Sequence, residues 1–223
     1  MPHALARLWL FEILLCLLAF LPSLASAGVT PEEVEAFESY KAQATKGDKV
    51  AQFFVGLCYS TGSGVKENQR ESVSWYRKAA EQGFAPAQFS LGYHYSNRLG
   101  VEDDQAEAAS WYRKAAEQGH AEAQHNLGIF YSTGIGVKED LVQAASWYRK
   151  AAEQGFAKAQ LKLGFLYSNG LGVPKDFVQA TSWYRKSAEQ GDAEAQYNLG
   201  LSYAKGEGVP KDEIEAYAYW NLA

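Results

Sequence analysis

The sequence predicts an all-α solenoid of stacked helix-turn-helix repeats, and three observations predict it. The stretch Ser110-Trp111-Tyr112-Arg113-Lys114-Ala115-Ala116-Glu117-Gln118-Gly119 occurs four times, from Ser74, Ser110, Ser146 and Ser182, with Ser187 as its single change. The starts are 36 residues apart, a period that marks stacked supersecondary units. Each copy is preceded by an Asn or Asp at a helix start and closed by a Gly, the punctuation of a helix. No stretch alternates polar and apolar residues as a strand would.

Residues 1–27 read as a targeting segment with no part in the fold. Arg7 supplies a positive n-region, Leu8 to Leu21 is apolar apart from Glu12, and Ala25-Ser26-Ala27 forms an A-x-A cleavage pattern before Gly28. The apolar run is short for a membrane span, so cleavage is expected to leave no stable membrane insertion. Residues 28–47 are expected to form an N-terminal capping helix, with Val34, Phe37 and Tyr40 on one side.

Five repeats follow, over residues 48–83, 84–119, 120–155, 156–191 and 192–223, the last one truncated. In each first helix a constant stripe recurs: Ala51, Gln52, Val55, Gly56 and Tyr59 return as Ala123, Gln124, Leu127, Gly128 and Tyr131, all on one face at ~100° per residue. Glycine mid-helix costs about 1 kcal/mol against Ala. Its recurrence at Gly56, Gly92, Gly128, Gly164 and Gly200 therefore predicts a close neighbour, expected to be the Ala-rich face of the second helix.

The connecting turn carries paired glycines such as Gly62 and Gly64, and a Val column (Val65 to Val209) that plugs the loop into the core. Arg98 stands in place of one turn glycine, which predicts either a reshaped loop or local strain. The second helices start at Asn68, Asp104, Asp140, Asp176 and Asp212, each with Glu or Gln three residues later, the spacing of a capping box. Ala108, Trp111, Tyr112, Ala115 and Ala116 then form its apolar stripe. In the last copy Tyr219 takes the Trp position and Trp220 the Tyr position.

The pattern Ala-x-x-Leu-Gly-x-x-Tyr, Gly-x-Gly-Val, Ala-x-x-Trp-Tyr-x-x-Ala-Ala-x-x-Gly resembles the Sel-one-like repeat (SLR) family, 36-residue relatives of the tetratricopeptide repeat. The resemblance covers Asp48 to Ala223. It implies a right-handed α-solenoid whose first helices line a groove, and a non-enzymatic role as adaptor or scaffold. One branch of the family is cysteine-rich with a disulfide in each repeat, and this chain lacks those cysteines.

Composition narrows the function. A net charge of −5 and a pI of about 5.5 argue against nucleic acid as a partner. Loss of Cys16 with the leader would leave Cys58 alone, a small buried hydrophobe on its helix pattern, and no internal disulfide. No catalytic constellation is found. Ser63-Gly64-Val65-Lys66 matches S-x-x-K only formally, since it lies in a glycine turn and no K-T-G accompanies it. The histidines His94, His120 and His125 lack ligand spacing, so no metal or cofactor is expected. Arg77-Lys78 and its equivalents read as a solvated face.

The varying positions of the first helix, numbered 50, 53, 57 and 61 in the first repeat, are expected to form a binding groove for a protein or peptide. Phe53, Phe89, Tyr93, Asn97, His125, Leu161, Tyr197 and Lys205 are the candidate contact residues, with the apolar column at Leu57 packing between repeats. The end carrying Tyr217, Tyr219 and Trp220 is a candidate association surface, with Ala195, Leu199 and Tyr203 left uncovered and a homodimer through this end. The expected location is outside the cytoplasm: periplasmic, secreted, or an ER lumen in a eukaryote, although Asn221-Leu222-Ala223 is no retention signal. The rival reading is a cell-wall or β-lactam-active enzyme like the cysteine-rich branch.

Overall fold

The computed structural model describes residues 29–223; the targeting segment read in residues 1–27 lies outside the described residues. The described chain is a row of α-helices: α1 (Pro31–Ala44), α2 (Lys49–Thr61), α3 (Gln69–Glu81), α4 (Ala85–Asn97), α5 (Gln105–Glu117), α6 (Ala121–Thr133), α7 (Leu141–Glu153), α8 (Ala157–Asn169), α9 (Phe177–Ala188), α10 (Ala193–Lys205) and α11 (Glu213–Trp220). Each helix packs on the ones before and after it, so the core is a chain of local clusters, as a solenoid requires. Helix α1 sits on α2 through Phe37, whose ring meets Tyr59 edge-on at 5.4 Å, and through Tyr40 stacked on Phe54 at 4.9 Å.

The caps explain where the helices begin. Asn68, Asp104, Asp140, Asp176 and Asp212 each accept a hydrogen bond from the backbone N–H three residues on. The reciprocal half of a capping box is made at Thr30 and Glu33 of α1 but not at these second helices. The reason is that the backbone N–H of Asn68, Asp140, Asp176 and Asp212 is already donated to the carbonyl of Tyr59, Tyr131, Tyr167 or Tyr203 on the preceding helix. At α5, Glu107 instead accepts a hydrogen bond from the Trp111 indole at 2.8 Å.

The mid-helix glycines face a different neighbour from the one expected. A Cβ on Gly128 would lie 2.6 Å from the Tyr148 ring, and one on Gly56 2.7 Å from the Tyr76 ring. The close partner is thus the tyrosine of the second helix rather than its alanines. At Gly200 the same space is taken by Trp220, whose Nε1 lies 2.5 Å from an ideal Cβ. The exchange of Tyr and Trp in the last copy therefore keeps the contact.

At the turns, Arg98 adopts the left-handed conformation of its glycine counterparts, with φ of 60°, so the loop is conserved and the residue is strained. Its guanidinium pairs with Asp103 at 2.6 Å, which together with the Gln105 amide holds the Asp103 carboxyl below the usual carboxylate range. The second turn glycine is required by packing: a Cβ at Gly136 would collide with the backbone carbonyl of Gln105 on the preceding second helix.

Two buried polar columns tie the repeats together. Gln52, Gln88, Gln124, Gln160 and Gln196 each donate to the carbonyl of Ala44, Ala80, Ala116, Ala152 or Ala188 near the end of the preceding helix. In turn Gln82, Gln118, Gln154 and Gln190 donate to the side-chain oxygens of Gln52, Gln88, Gln124 and Gln160 at 2.7–2.8 Å. Each of these alanine carbonyls also accepts the N–H of the glycine three residues on, so the glutamines use its second lone pair and tie each helix end to the next first helix.

Candidate interaction face

The first helix of each repeat turns one side to its own second helix and leaves the opposite side as a continuous face. Positions 50, 54, 57 and 61 of α2 fall within about 60° of one another on a helical wheel, while position 53 lies at the margin of that arc. The structure assigns the columns accordingly. Tyr93 and Phe165, in the column of Leu57, are 46% and 48% exposed. The column expected to pack between repeats is therefore the apolar ridge of the face.

The column of Phe53 goes inward instead. Phe53 meets Phe84 edge-on at 5.5 Å, Phe89 stacks on His120 at 4.7 Å, and His125 packs on Phe156 at 5.2 Å. These partners are the residues that open the next first helix. His125 and Leu161 are only 7% and 4% exposed, which removes them from the contact set; Phe53 and Phe89 are half-buried. Of the candidates, Tyr93, Asn97, Tyr197 and Lys205 stand exposed on the first helices. Sequence reasoning missed the column of Phe54, Ser90, Asn126, Lys162 and Asn198, which is half-buried and forms one edge of this face.

The electrostatics follow from burial. His125, its Nδ1 buried without a hydrogen-bond partner, is pushed down to about 4 by burial and by Lys158 and Lys162. Burial also lowers His94, against the bond to the Ser90 carbonyl, and His120, against the Glu122 carboxylate. The Tyr76 hydroxyl is pushed up to about 12 by burial.

The Arg-Lys columns on the second helices belong to the framework. Arg77, Arg113, Arg149 and Arg185 donate to the hydroxyls of Tyr95, Tyr131, Tyr167 and Tyr203 in the next repeat. Lys78, Lys114, Lys150 and Lys186 lie 3.6–4.0 Å from the ring centroids of Trp75, Trp111, Trp147 and Trp183. Such contacts are cation–π attractions, and none of these eight cations is in an ion pair with a carboxylate among the described residues.

At the far end, Ala195 and Leu199 are fully buried, and Tyr203 is half-buried with its ring stacked on Tyr219 at 5.8 Å. The expectation that these three stand uncovered is corrected: α11 closes over them, and the Trp220 indole donates to the Tyr197 carbonyl at 3.3 Å. Ile214 and Tyr217 remain outside, 83% and 66% exposed.

The Sel1 repeat matches this chain five times, over residues 49–84, 85–120, 121–156, 157–192 and 193–223. The chain belongs to the Sel1 repeat family. A search of the curated proteins finds no match. Among solved structures, this Sel1 repeat chain is similar to a protective antigen present in uropathogenic Escherichia coli strains displaying an SLR fold, at 40% identity and a TM-score of 0.83, covering 85% of this chain and 40% of that one. The chain thus spans well under half the length of that antigen. It is also similar to a Sel1 repeat protein from Oxalobacter formigenes, at 40% identity and a TM-score of 0.79, covering 86% of this chain and 81% of that one. An immunity protein from Pseudomonas aeruginosa shares the fold at 19% identity and a TM-score of 0.53, covering 88% of this chain and 82% of that one.

Among the described residues no group of His, Cys, Asp or Glu could hold a metal ion, and no helix is long and apolar enough to cross a membrane. Cys58 is buried beside Phe37, Val55 and Trp75.

Proposed function

We propose that this Sel1 repeat chain is a non-enzymatic interaction module acting outside the cytoplasm, holding a protein or peptide on the face lined by its first helices. The observation that carries the reading is the placement of large exposed aromatics on that face: Tyr93 and Phe165 are 46% and 48% exposed. Aromatic side chains concentrate at the centres of protein interfaces because they bury large areas at low entropic cost. The opposite face spends its aromatic and cationic groups on stacking the array.

A photo-crosslinking residue placed at Tyr93 or Phe165 in the native host should capture one partner that the same residue at Ser146, on α7, does not capture. Equal capture from both sides would refute the reading. Export through residues 1–27 is part of the proposal, and recovery of the exported protein with Gly28 as its first residue would support it. Self-association through α11 is the finer proposal, resting on exposed Ile214 and Tyr217. Sedimentation at tens of micromolar with Tyr217→Glu tests it; Trp220 is unsuitable because it fills the space above Gly200. A monomer with and without the substitution would remove the dimer.

A further inference from the structure

Lys162 lies half-buried on the interaction face, in the row that sequence reasoning overlooked. It has no hydrogen-bond or ion-pair partner among the described residues. One repeat to either side, the same position holds Asn126 on α6 and Asn198 on α10. A turn farther along the same helices runs an apolar row of Ile129, Phe165 and Leu201. A row of two amides around an unpaired ammonium therefore lies beside a row of three apolar side chains.

A lysine can cover its alkyl stem while its ammonium stays accessible, and an ammonium without a partner is free to meet a counter-charge. The face's own carboxylates do not supply one. Glu122 and Glu194 lie one turn nearer the helix starts, on either side of Lys158, and the Glu122 carboxylate is 3.3 Å from the His120 ring. Asn198 donates one amide hydrogen to the Glu194 carbonyl at 2.8 Å, leaving a second one. Asn126 sits beside the Tyr112 hydroxyl. The ammonium and the primary amides can all donate to a carboxylate, and the ammonium disfavours a second cation.

We propose that this segment of the face takes an extended stretch of a partner protein, seating an Asp or Glu side chain on Lys162 between Asn126 and Asn198 and an adjacent apolar side chain on Phe165. The proposal rests on the interaction-face reading above. An extended chain alternates its side chains, so neighbouring residues fall naturally onto the polar and the apolar row. The row carries a single lysine, so one acidic residue suffices. The carboxylate is a side chain rather than a chain end because the face continues past Lys162 in both directions, to Ser90 and Tyr93 on α4 and to Asn198 and Leu201 on α10.

The test is selection of random nine-residue segments displayed as internal loops of a phage coat protein, against the purified protein and its Lys162→Met variant. The expected result is enrichment of Asp or Glu next to an apolar residue, lost with Lys162→Met. Blocked synthetic peptides of the enriched sequence should bind about tenfold more weakly when that acid is changed to its amide. Enrichment without an acidic residue, or one unmoved by Lys162→Met, overturns the inference yet leaves the interaction face standing, provided Phe165→Ala abolishes binding. Recovery of nothing, or of segments indifferent to Phe165→Ala and Tyr93→Ala, overturns the face and the inference together. Stronger binding of peptides ending in a free carboxylate would overturn the choice of a side chain.

Discussion

Gly128→Ala should change sign with the identity of residue 148. In the intact protein an ideal Cβ at Gly128 lies 2.6, 2.7 and 3.1 Å from three atoms of the Tyr148 ring, Cγ among them. The whole ring must therefore move, and it has little freedom to do so. Tyr148 is 3% exposed, and its hydroxyl shares a hydrogen bond with Ser132 at 3.2 Å. Overpacking of this kind costs about 1–3 kcal/mol, against a gain of about 1 kcal/mol from replacing a mid-helix glycine by alanine.

The net expectation is destabilisation by about 1 kcal/mol, a fall in Tm of about 2–4 °C for a chain of this size. Tyr148→Ala alone should cost about 3–5 kcal/mol through its cavity. In that background the clash is gone and the helix preference remains, so adding Gly128→Ala should stabilise by about 1 kcal/mol. Urea unfolding followed by circular dichroism on the four proteins gives the coupling. Equal destabilisation by Gly128→Ala in both backgrounds would refute the tyrosine as the cause of the glycine.

Three further outcomes follow from the same geometry. Gln124→Leu removes the side-chain bond to the Ala116 carbonyl, which keeps the Gly119 N–H, and takes away the acceptor of the Gln154 amide, for about 0.5–1.5 kcal/mol per bond, whereas Gln154→Leu should cost less because Gln154 is exposed; equal losses in urea would contradict the relay. With its folded value near 4 and an unfolded value of about 6.5, neutral His125 contributes stability fully present above about pH 6.5 and lost as pH falls towards 4, up to about 3 kcal/mol. His125→Phe should therefore lose less stability between pH 7 and pH 4 than the unmodified protein, and an unchanged slope would dispose of this assignment. Arg98→Gly relieves a left-handed backbone costing about 1–2 kcal/mol in a non-glycine residue and gives up an exposed ion pair, so a Tm raised by a few degrees is expected; an unchanged or lowered Tm would show the strain to be absent.

What the sequence makes legible is the chemistry a residue performs on its own backbone. Asp140 caps α7 by bonding the N–H of Gln143, and Asp and Gln at such spacing announce that bond without knowledge of any other helix. The period of 36 then sets which helices stack. Depth is harder to read, because a wheel orders residues by angle and says little about what approaches from outside. Phe53 and Phe54 differ by one step. The start of the next first helix covers Phe53 through Phe84, whereas Phe54 meets Tyr40 of α1. The wheel puts His125 and Leu161 near the face for the same reason, and their burial comes from the start of the next first helix and its neighbours. The tyrosine opposite Gly128 was hidden likewise, since Tyr148 and its neighbouring alanines share one stripe. The glutamine relay carried a signal that could have been used: Gln52 and Gln82 recur together, 30 residues apart, at Gln88 and Gln118, Gln124 and Gln154, and Gln160 and Gln190. An uncharged polar residue held at a core position through every copy needs a buried partner.

The division of labour between the two sides bears on where recognition occurs. The most conspicuous charges in the sequence, the Arg-Lys pairs, are already committed: each arginine bridges to a tyrosine hydroxyl of the next repeat, and each lysine lies over the tryptophan three residues before it. A partner competing for them would have to displace contacts that hold neighbouring repeats together. The first-helix face bears less of that duty: Phe54 stacks on Tyr40 and Asn126 lies beside the Tyr112 hydroxyl, whereas Tyr93 and Phe165 stand exposed. Its residues differ from repeat to repeat, from Leu57 to Tyr93 to Phe165 and from Ser90 to Asn126 to Lys162, while the glutamine, glycine and alanine columns behind them stay constant. Stacking energy and recognition are thereby carried by different columns of the same helices, and a substitution such as Lys162→Met can change what is bound without touching what keeps the array assembled.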